Sequence, residues 1–214
     1  MNVKLIALTQ PVVRHETEDR CLTAEELIAY AARVSNPSNQ HSHDTAPRLL
    51  TYCLKHGHWS VFETASMTVE VVTSRAIAAQ MLRHRSFTFQ EFSQRYAMSV
   101  DYELVELRTQ DAKNRQASGE PIHNTELHRL THDVVNQCFD AYQDLLKHGV
   151  SRETARMVLP LCTQTTLYMT GNVRSWLHYF QQRCSPGTQK EHREIALAIK
   201  TIFAQQFPTI SSLL

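Results

Sequence analysis

Between Ala65 and Leu82 the repeat of the sequence changes, and no other stretch constrains the fold as strongly. Met67, Val69 and Val71 alternate with Thr68 and Glu70, the two-residue repeat of a strand with one face buried over 65–73. Ser74 then stands as a cap before the apolar helical run Ile77 to Leu82. A strand that passes directly into a helix has to lay both elements on a shared core, which points to a mixed architecture.

The rest of the chain supplies further elements of both kinds. Val3 to Leu8 reads as a short strand, and Thr23-Ala24-Glu25-Glu26 as a capping box opening a helix through Leu27, Ile28, Ala31 and Ala32. A polar stretch, Asn36 to His43, precedes a helix over Ala46 to His56 that Gly57 ends. Phe87 to Tyr96 is expected to be extended. Asn124 starts a long helix to about Leu146, closed near Gly149, and Ser151 caps a short helix before Pro160. Thr163 to Thr170 is expected to be a strand. Helices over Val173 to Cys184 and Thr188 to Gln206 follow, split by Ser185-Pro186-Gly187. The expected fold is α+β (mixed α/β): one domain over 1–214, a central β-sheet flanked by helices.

A net charge of +1 argues against a broad nucleic-acid footprint, and no RNP or Gly-x-x-Gly pattern supports an RNA-binding module. Five scattered cysteines, without a Cys-x-x-Cys pair, read as buried thiols of a reducing compartment. With no apolar run suited to a signal peptide or membrane span, the expected location is the cytoplasm. Among 12 histidines, His41-x-His43, His56-x-His58 and His128-x-x-x-His132 invite a metal-enzyme reading. The last pair shares a helical face, but it lacks the Glu of a zincin and a nearby third ligand, so no catalytic metal is expected.

The chemistry concentrates at the end of the Ile77 helix. At helical spacing Gln80, Arg83 and His84 share a face while Arg85 turns away, so one helix end presents cations in two directions. Arginine forks match phosphate and the carbonyl edge of heterocycles, although cations at a helix carboxyl end also simply complement the macrodipole. Beyond them Glu91, Ser93 and Arg95 alternate at period two, aligning an acceptor, a hydroxyl and a fork along one wall of a strand.

Arg83-His84-Arg85, seven residues, then Ser93 within Glu91-Phe92-Ser93-Gln94-Arg95-Tyr96 resembles the signature of the flavin-dependent thymidylate synthase family. Gly57-His58-Trp59-Ser60-Val61-Phe62-Glu63, Gln80, Arg156 to Pro160, Asn172 to Ser175, His178 and Arg183 resemble further family segments, in order from Gly57 to Glu194. Thr64, Thr88 and Gln90 depart from the residues common there. The resemblance implies that Gln80, Arg83, Glu91, Phe92, Ser93, Gln94, Arg95, Arg156 and Arg183 contact dUMP. It implies that Ser60, Arg83, His84, Arg85, Glu91, Asn172, Arg174 and His178 contact FAD. It also implies NADPH as reductant, methylenetetrahydrofolate as carbon donor, a homotetramer, and no cysteine nucleophile. Arg183 is the expected catalytic residue, polarising the uracil ring. On a helix, Asn172, Trp176, Phe180 and Arg183 fall opposite Arg174 and His178, so the expectation is that adjoining subunits complete each site.

Overall fold

The computed structural model describes residues 1–99, 101–104 and 106–213. Its elements are β1 (Asn2–Leu8), α1 (Ala24–Ala32), α2 (Ala46–Lys55), β2 (Ser66–Ser74), α3 (Arg75–Met81), β3 (Thr88–Glu91), β4 (Arg108–Gln110) and β5 (Ser118–Pro121). The second half adds α4 (Thr125–Lys147), α5 (Arg152–Ala155), β6 (Gln164–Asn172), α6 (Val173–Arg183), α7 (Lys190–Gln206) and α8 (Pro208–Ser211). No helix among the described residues is long and apolar enough to cross a membrane.

Four strands form one antiparallel sheet in the order β1-β2-β6-β3, and β4 pairs with β5 apart from it. The central pair runs from Ser66 opposite Asn172 to Ser74 opposite Gln164 without a slip. Each central strand continues into a helix, β2 into α3 and β6 into α6, with Ser74 and Asn172 as N-caps. The two junctions mirror each other: the Arg75 amide donates to the Thr163 carbonyl, and the Val173 amide to the Ala65 carbonyl. Both donors are first-turn amides that α-helical geometry leaves unpaired. Two helices therefore leave one ladder from opposite ends.

Met67, Val69, Val71, Leu167 and Met169 form the buried face of that ladder, packed with apolar residues of α1, α2, α6 and α7. On the other face the Thr68 and Thr170 hydroxyls meet at 2.8 Å and the Tyr168 hydroxyl donates to Glu70 at 2.8 Å. One packed and one polar face is common in antiparallel sheets. The buried Trp176 indole bridges the ladder, donating to the carbonyls of Met67 at 3.2 Å and Gly171 at 3.0 Å. Met67 and Gly171 are direct partners across the two strands.

Local signals explain most boundaries. Thr23 and Glu26 form the reciprocal capping box of α1. Gly57 and Gly149 hold φ of 69° and 83°, the left-handed values that glycine adopts at little cost, just past α2 and α4. Some expected boundaries move: α7 begins at Lys190, β3 spans only Thr88–Glu91, and β6 spans Gln164–Asn172, carrying the strand to the cap of α6. The β4–β5 ribbon is an addition; its polar residues carry no apolar alternation to announce it.

Candidate active site

The expected single face of Gln80, Arg83 and His84 is corrected by where α3 stops. It ends at Met81, and the Arg83 and His84 amides close turns on the carbonyls of Gln80 and Met81. Arg83 and Arg85 point to solvent, while His84 turns inward and is half-buried. Its ring meets that of Tyr179 edge-on at 4.9 Å, and its Nε2 accepts the Nε–H of Arg183 at 2.8 Å. Burial, together with the positive charge of Arg183 and the neighbouring His178, lowers the His84 pKa to about 4. His84 is therefore neutral near pH 7 and acts as an acceptor. It fixes Arg183 through Nε, and among the described residues the guanidinium's terminal nitrogens have no protein hydrogen bond. The carboxyl ends of α3 and α6 meet here, and their partial negative charge helps gather Arg83, Arg85 and Arg183.

Behind this pair runs a directed chain of hydrogen bonds. His192 on α7 is fully buried, and burial with the charge of Arg183 lowers its pKa to about 3. Being neutral, it takes the Tyr179 hydroxyl proton on Nε2 at 3.1 Å and donates from Nδ1 to Gln80 Oε1 at 3.2 Å. That tautomer follows from the partners. Gln80 Nε2 then donates to Gln189 Oε1 at 2.6 Å, and Gln189 to Glu191 at 2.9 Å, whose carboxylate forms an ion pair with Arg108 at 2.7 Å. Burial pushes the Tyr179 phenol pKa upward, keeping it a donor. The orientation of the Gln80 amide is thus set from the core. Sequence reading missed Tyr179 and His192, which share helical faces with apolar residues, and Gln189, one polar residue among others before α7; the His192–Gln80 contact spans 112 positions.

A cleft of about 580 Å³ is lined by Trp59, Glu63, Ser86, Asn172, Arg174, Ser175, His178 and Gln181. Arg174 pairs with Glu63. The expected helical phase is corrected for Asn172: as the extended N-cap, accepting from the Ser175 amide at 2.9 Å, it lies on the cleft with Arg174 and His178. Trp176 and Phe180 do turn into the core, and Arg183 reaches His84. Ser60 is exposed beside Trp59 in the turn Trp59–Glu63.

The expected wall of Glu91, Ser93 and Arg95 is also corrected. β3 ends at Glu91, and the Ser93 carbonyl accepts the amides of Tyr96 and Ala97 in a turn, so the period-two alternation stops. Glu91 Oε1 accepts from Arg75 and from the Thr165 hydroxyl, both at 2.9 Å. Phe92 and Ser93 are exposed; Gln94 is buried and donates to the Ser99 hydroxyl at 2.9 Å. Arg95 pairs with Glu153 at 3.3 Å, and a second cleft of about 520 Å³ gathers Ser93, Arg95, Tyr96, Ser151, Arg152 and Glu153. Arg156 donates to the Glu153 carbonyl at 3.3 Å. A single chain thus places Asn172, Arg174 and His178 on one cleft, Ser93 and Arg95 on another, and Gln80, His84 and Arg183 in a network, rather than all in one cavity.

A profile of the thymidylate synthase complementing protein family matches residues 18–209. The chain is 50% identical, over 222 residues, to a probable flavin-dependent thymidylate synthase of Paramecium bursaria Chlorella virus 1, covering 100% of this chain and 99% of that protein. It is 48% identical, over 217 residues, to the flavin-dependent thymidylate synthase of Synechocystis sp. (strain ATCC 27184 / PCC 6803 / Kazusa), with coverage of 100% and 99%. The crystal structure of the UMP/dUMP methylase PolB from Streptomyces cacaoi, bound with 5-Br dUMP, shares the fold: TM-score 0.83, 24% identity, 99% of this chain and 93% of that one. With its fold matched over nearly its whole length and two relatives near half identical end to end, the chain belongs to the flavin-dependent thymidylate synthase family.

Proposed function

We propose that the chain methylates dUMP to dTMP reductively, taking the carbon from methylenetetrahydrofolate and reducing equivalents from NADPH through FAD, with tetrahydrofolate and NADP⁺ as the other products. The observation that carries this reading is Arg183: a guanidinium fixed at Nε by a neutral histidine, with its terminal N–H groups left for a ligand. Laid against N3 and a carbonyl oxygen of uracil, those donors stabilise the negative charge that makes carbon 5 nucleophilic. Gln80, oriented by His192, meets the same ring. Arg83, Arg95 and Arg156 hold the phosphate and ribose with Glu91, Phe92 and Ser93, while the buried Gln94 fixes their turn.

The reading also fits the thiols. Burial raises the pKa of Cys53, Cys162 and Cys184, so these cysteines are poor sources of a thiolate for attack at carbon 6.

The donor set of the 580 Å³ cleft suits a flavin: Asn172, Arg174 and His178 offer polar contacts, Trp59 an aromatic wall, and Ser60 an exposed hydroxyl at the rim. Bound there, FAD would supply hydride transfer; His84 and Arg85 would reach it from the α3 end, and Glu91 from β3. The separation of the clefts supports a homotetramer in which neighbouring chains complete each site. Leu127, Leu130 and Val134, exposed along one side of α4, with exposed Met157 and Leu161, suit burial between subunits. We place the enzyme in the cytoplasm, where its five free cysteines stay reduced.

The test reconstitutes the purified chain with FAD, follows bleaching of the flavin bands by NADPH, and measures dTMP formed. A chain that stays colourless, or whose flavin NADPH does not bleach, overturns the reading. Mixing Arg85→Ala with Arg183→Ala subunits tests the shared site: activity that never returns on exchange refutes it.

A further inference from the structure

Two segments that the reaction does not use meet beside the start of α1. Residues 13–22 fold back on themselves, with Arg14 bridged to Cys21 and the His15 amide donating to the Arg20 carbonyl. The polar stretch before α2 lays its histidines against this excursion. His15 and His43 stack with ring centroids 4.1 Å apart, and the His41 ring stands edge-on to His43 at 6.4 Å. Glu26 completes the group: one ligand atom from each of His15, Glu26 and His43 lies within 4.8 Å of the others. None of the three lines the two clefts of the proposed active site.

The hydrogen bonding of this cluster is incomplete in a particular way. Among the described residues His43 Nε2 and His41 Nδ1 are both buried without a hydrogen-bond partner. A buried ring nitrogen without a partner is costly, and two such atoms in one cluster call for a common acceptor or ion. His15 engages its Nδ1 with the amide and hydroxyl of Thr17, both at 3.3 Å, which leaves Nε2 toward the cluster. Carboxylates ring the group: Glu18 lies 3.8 Å from His15 Nε2, and Glu16 lies 3.7 Å from His41 Nδ1.

We propose that His15, His43 and Glu26 bind a divalent transition-metal ion, zinc by the chemistry of the donor set, at a site separate from the reaction centre. Two imidazoles and one carboxylate are ligands zinc takes readily, and His41 or water supplies the fourth. Tetrahedral zinc with bonds of about 2.0–2.1 Å sets its donors about 3.4 Å apart, so the side chains close in by roughly an ångström. Glu26 must give up part of its present bonding, in which it accepts from both Arg20 Nη atoms at 2.7 and 2.9 Å and from the Thr23 amide at 2.7 Å. Arg20 keeps a carboxylate when this happens, because its Nε already donates to Glu18 at 2.6 Å. The metal would tie the 13–22 excursion, α1 and the stretch before α2 together, beside a cavity of about 720 Å³ whose wall includes Glu26, His43, Pro208 and Thr209.

The experiment uses the full chain, stripped with EDTA and titrated calorimetrically with zinc chloride in a non-coordinating buffer. One ion per chain is expected, with affinity falling at least tenfold in His15→Gln and in His43→Gln. Cobalt should give the visible bands of a tetrahedral site in the wild type and in neither variant. His56→Gln/His58→Gln, which removes an exposed histidine pair, should leave zinc binding unchanged. Absence of zinc binding overturns the proposal, as does binding retained in a His15→Gln/His43→Gln double variant or lost only with His56 and His58. Histidine modification by diethylpyrocarbonate probes the same site in wild-type protein, whether or not the variants fold: zinc must protect His15 and His43, and modification unaltered by zinc counts against the site.

Discussion

Acid should destabilise this protein through His192, and the size of the effect can be worked out. In the unfolded chain this imidazole titrates at its ordinary value of 6.5; in the fold it stays neutral down to about pH 3. The folded value is the depressed one. Its contribution is therefore intact above pH 6.5 and is lost progressively as pH falls from 6.5 toward 3. At pH 5 the unfolded histidine is almost wholly protonated and the folded one is not, which costs about 2 kcal/mol relative to pH 8. That figure depends on the unfolded chain, provided the folded value lies well below 5. His192→Gln keeps a polar side chain between Tyr179 and Gln80 but cannot titrate. Urea unfolding at pH 8 and pH 5, at one fixed protein concentration, should show a stability difference smaller in the variant by about 2 kcal/mol. Equal differences in wild type and variant would refute the assignment of a neutral, buried His192.

Three further outcomes follow from the structure. Arg183→Lys should lower dTMP formation on the order of 100- to 1,000-fold, since a point charge replaces the fork on the ring; near wild-type turnover would remove Arg183 from the chemistry. Gly171→Ala places a Cβ 2.4 Å from the buried Phe87 ring and should cost about 1–3 kcal/mol in urea unfolding, with a change under about 0.5 kcal/mol contradicting the packing. Cys162→Ser and Cys184→Ala should leave turnover nearly intact, and a folded variant without activity would point to a thiol nucleophile.

What the sequence revealed was mostly local. The change of repeat at Ser74, the Thr23–Glu26 box and the stops at Gly57 and Gly149 depend on neighbours within a few residues, and the fold bears them out. The alternation of Glu91, Ser93 and Arg95 misled because pairing with β6 ends at the Phe92 amide, which bonds the Thr166 carbonyl, and no local residue marks that end. Asn172 was misplaced because helical phase was extended to a cap. His192 was illegible as a positioning residue: a histidine among Ile195, Ala196 and Ile199 looks like ordinary core until Gln80 is folded against it. The family resemblance names Arg183, but its contact with His84 spans 99 positions and forms only when the chain between them is folded.

The Trp176 indole also sets the reach of the proposed active site. A strand that slides by two residues keeps its apolar side chains on the correct face, so hydrophobic burial alone is a poor ruler for the central ladder. Such a slide moves one strand by about 7 Å against the other. Because α3 and α6 each continue from one of those strands, the same error would carry His84 out of range of Arg183. By holding the Met67 and Gly171 carbonyls together, one core ring calibrates a distance at the far ends of two helices.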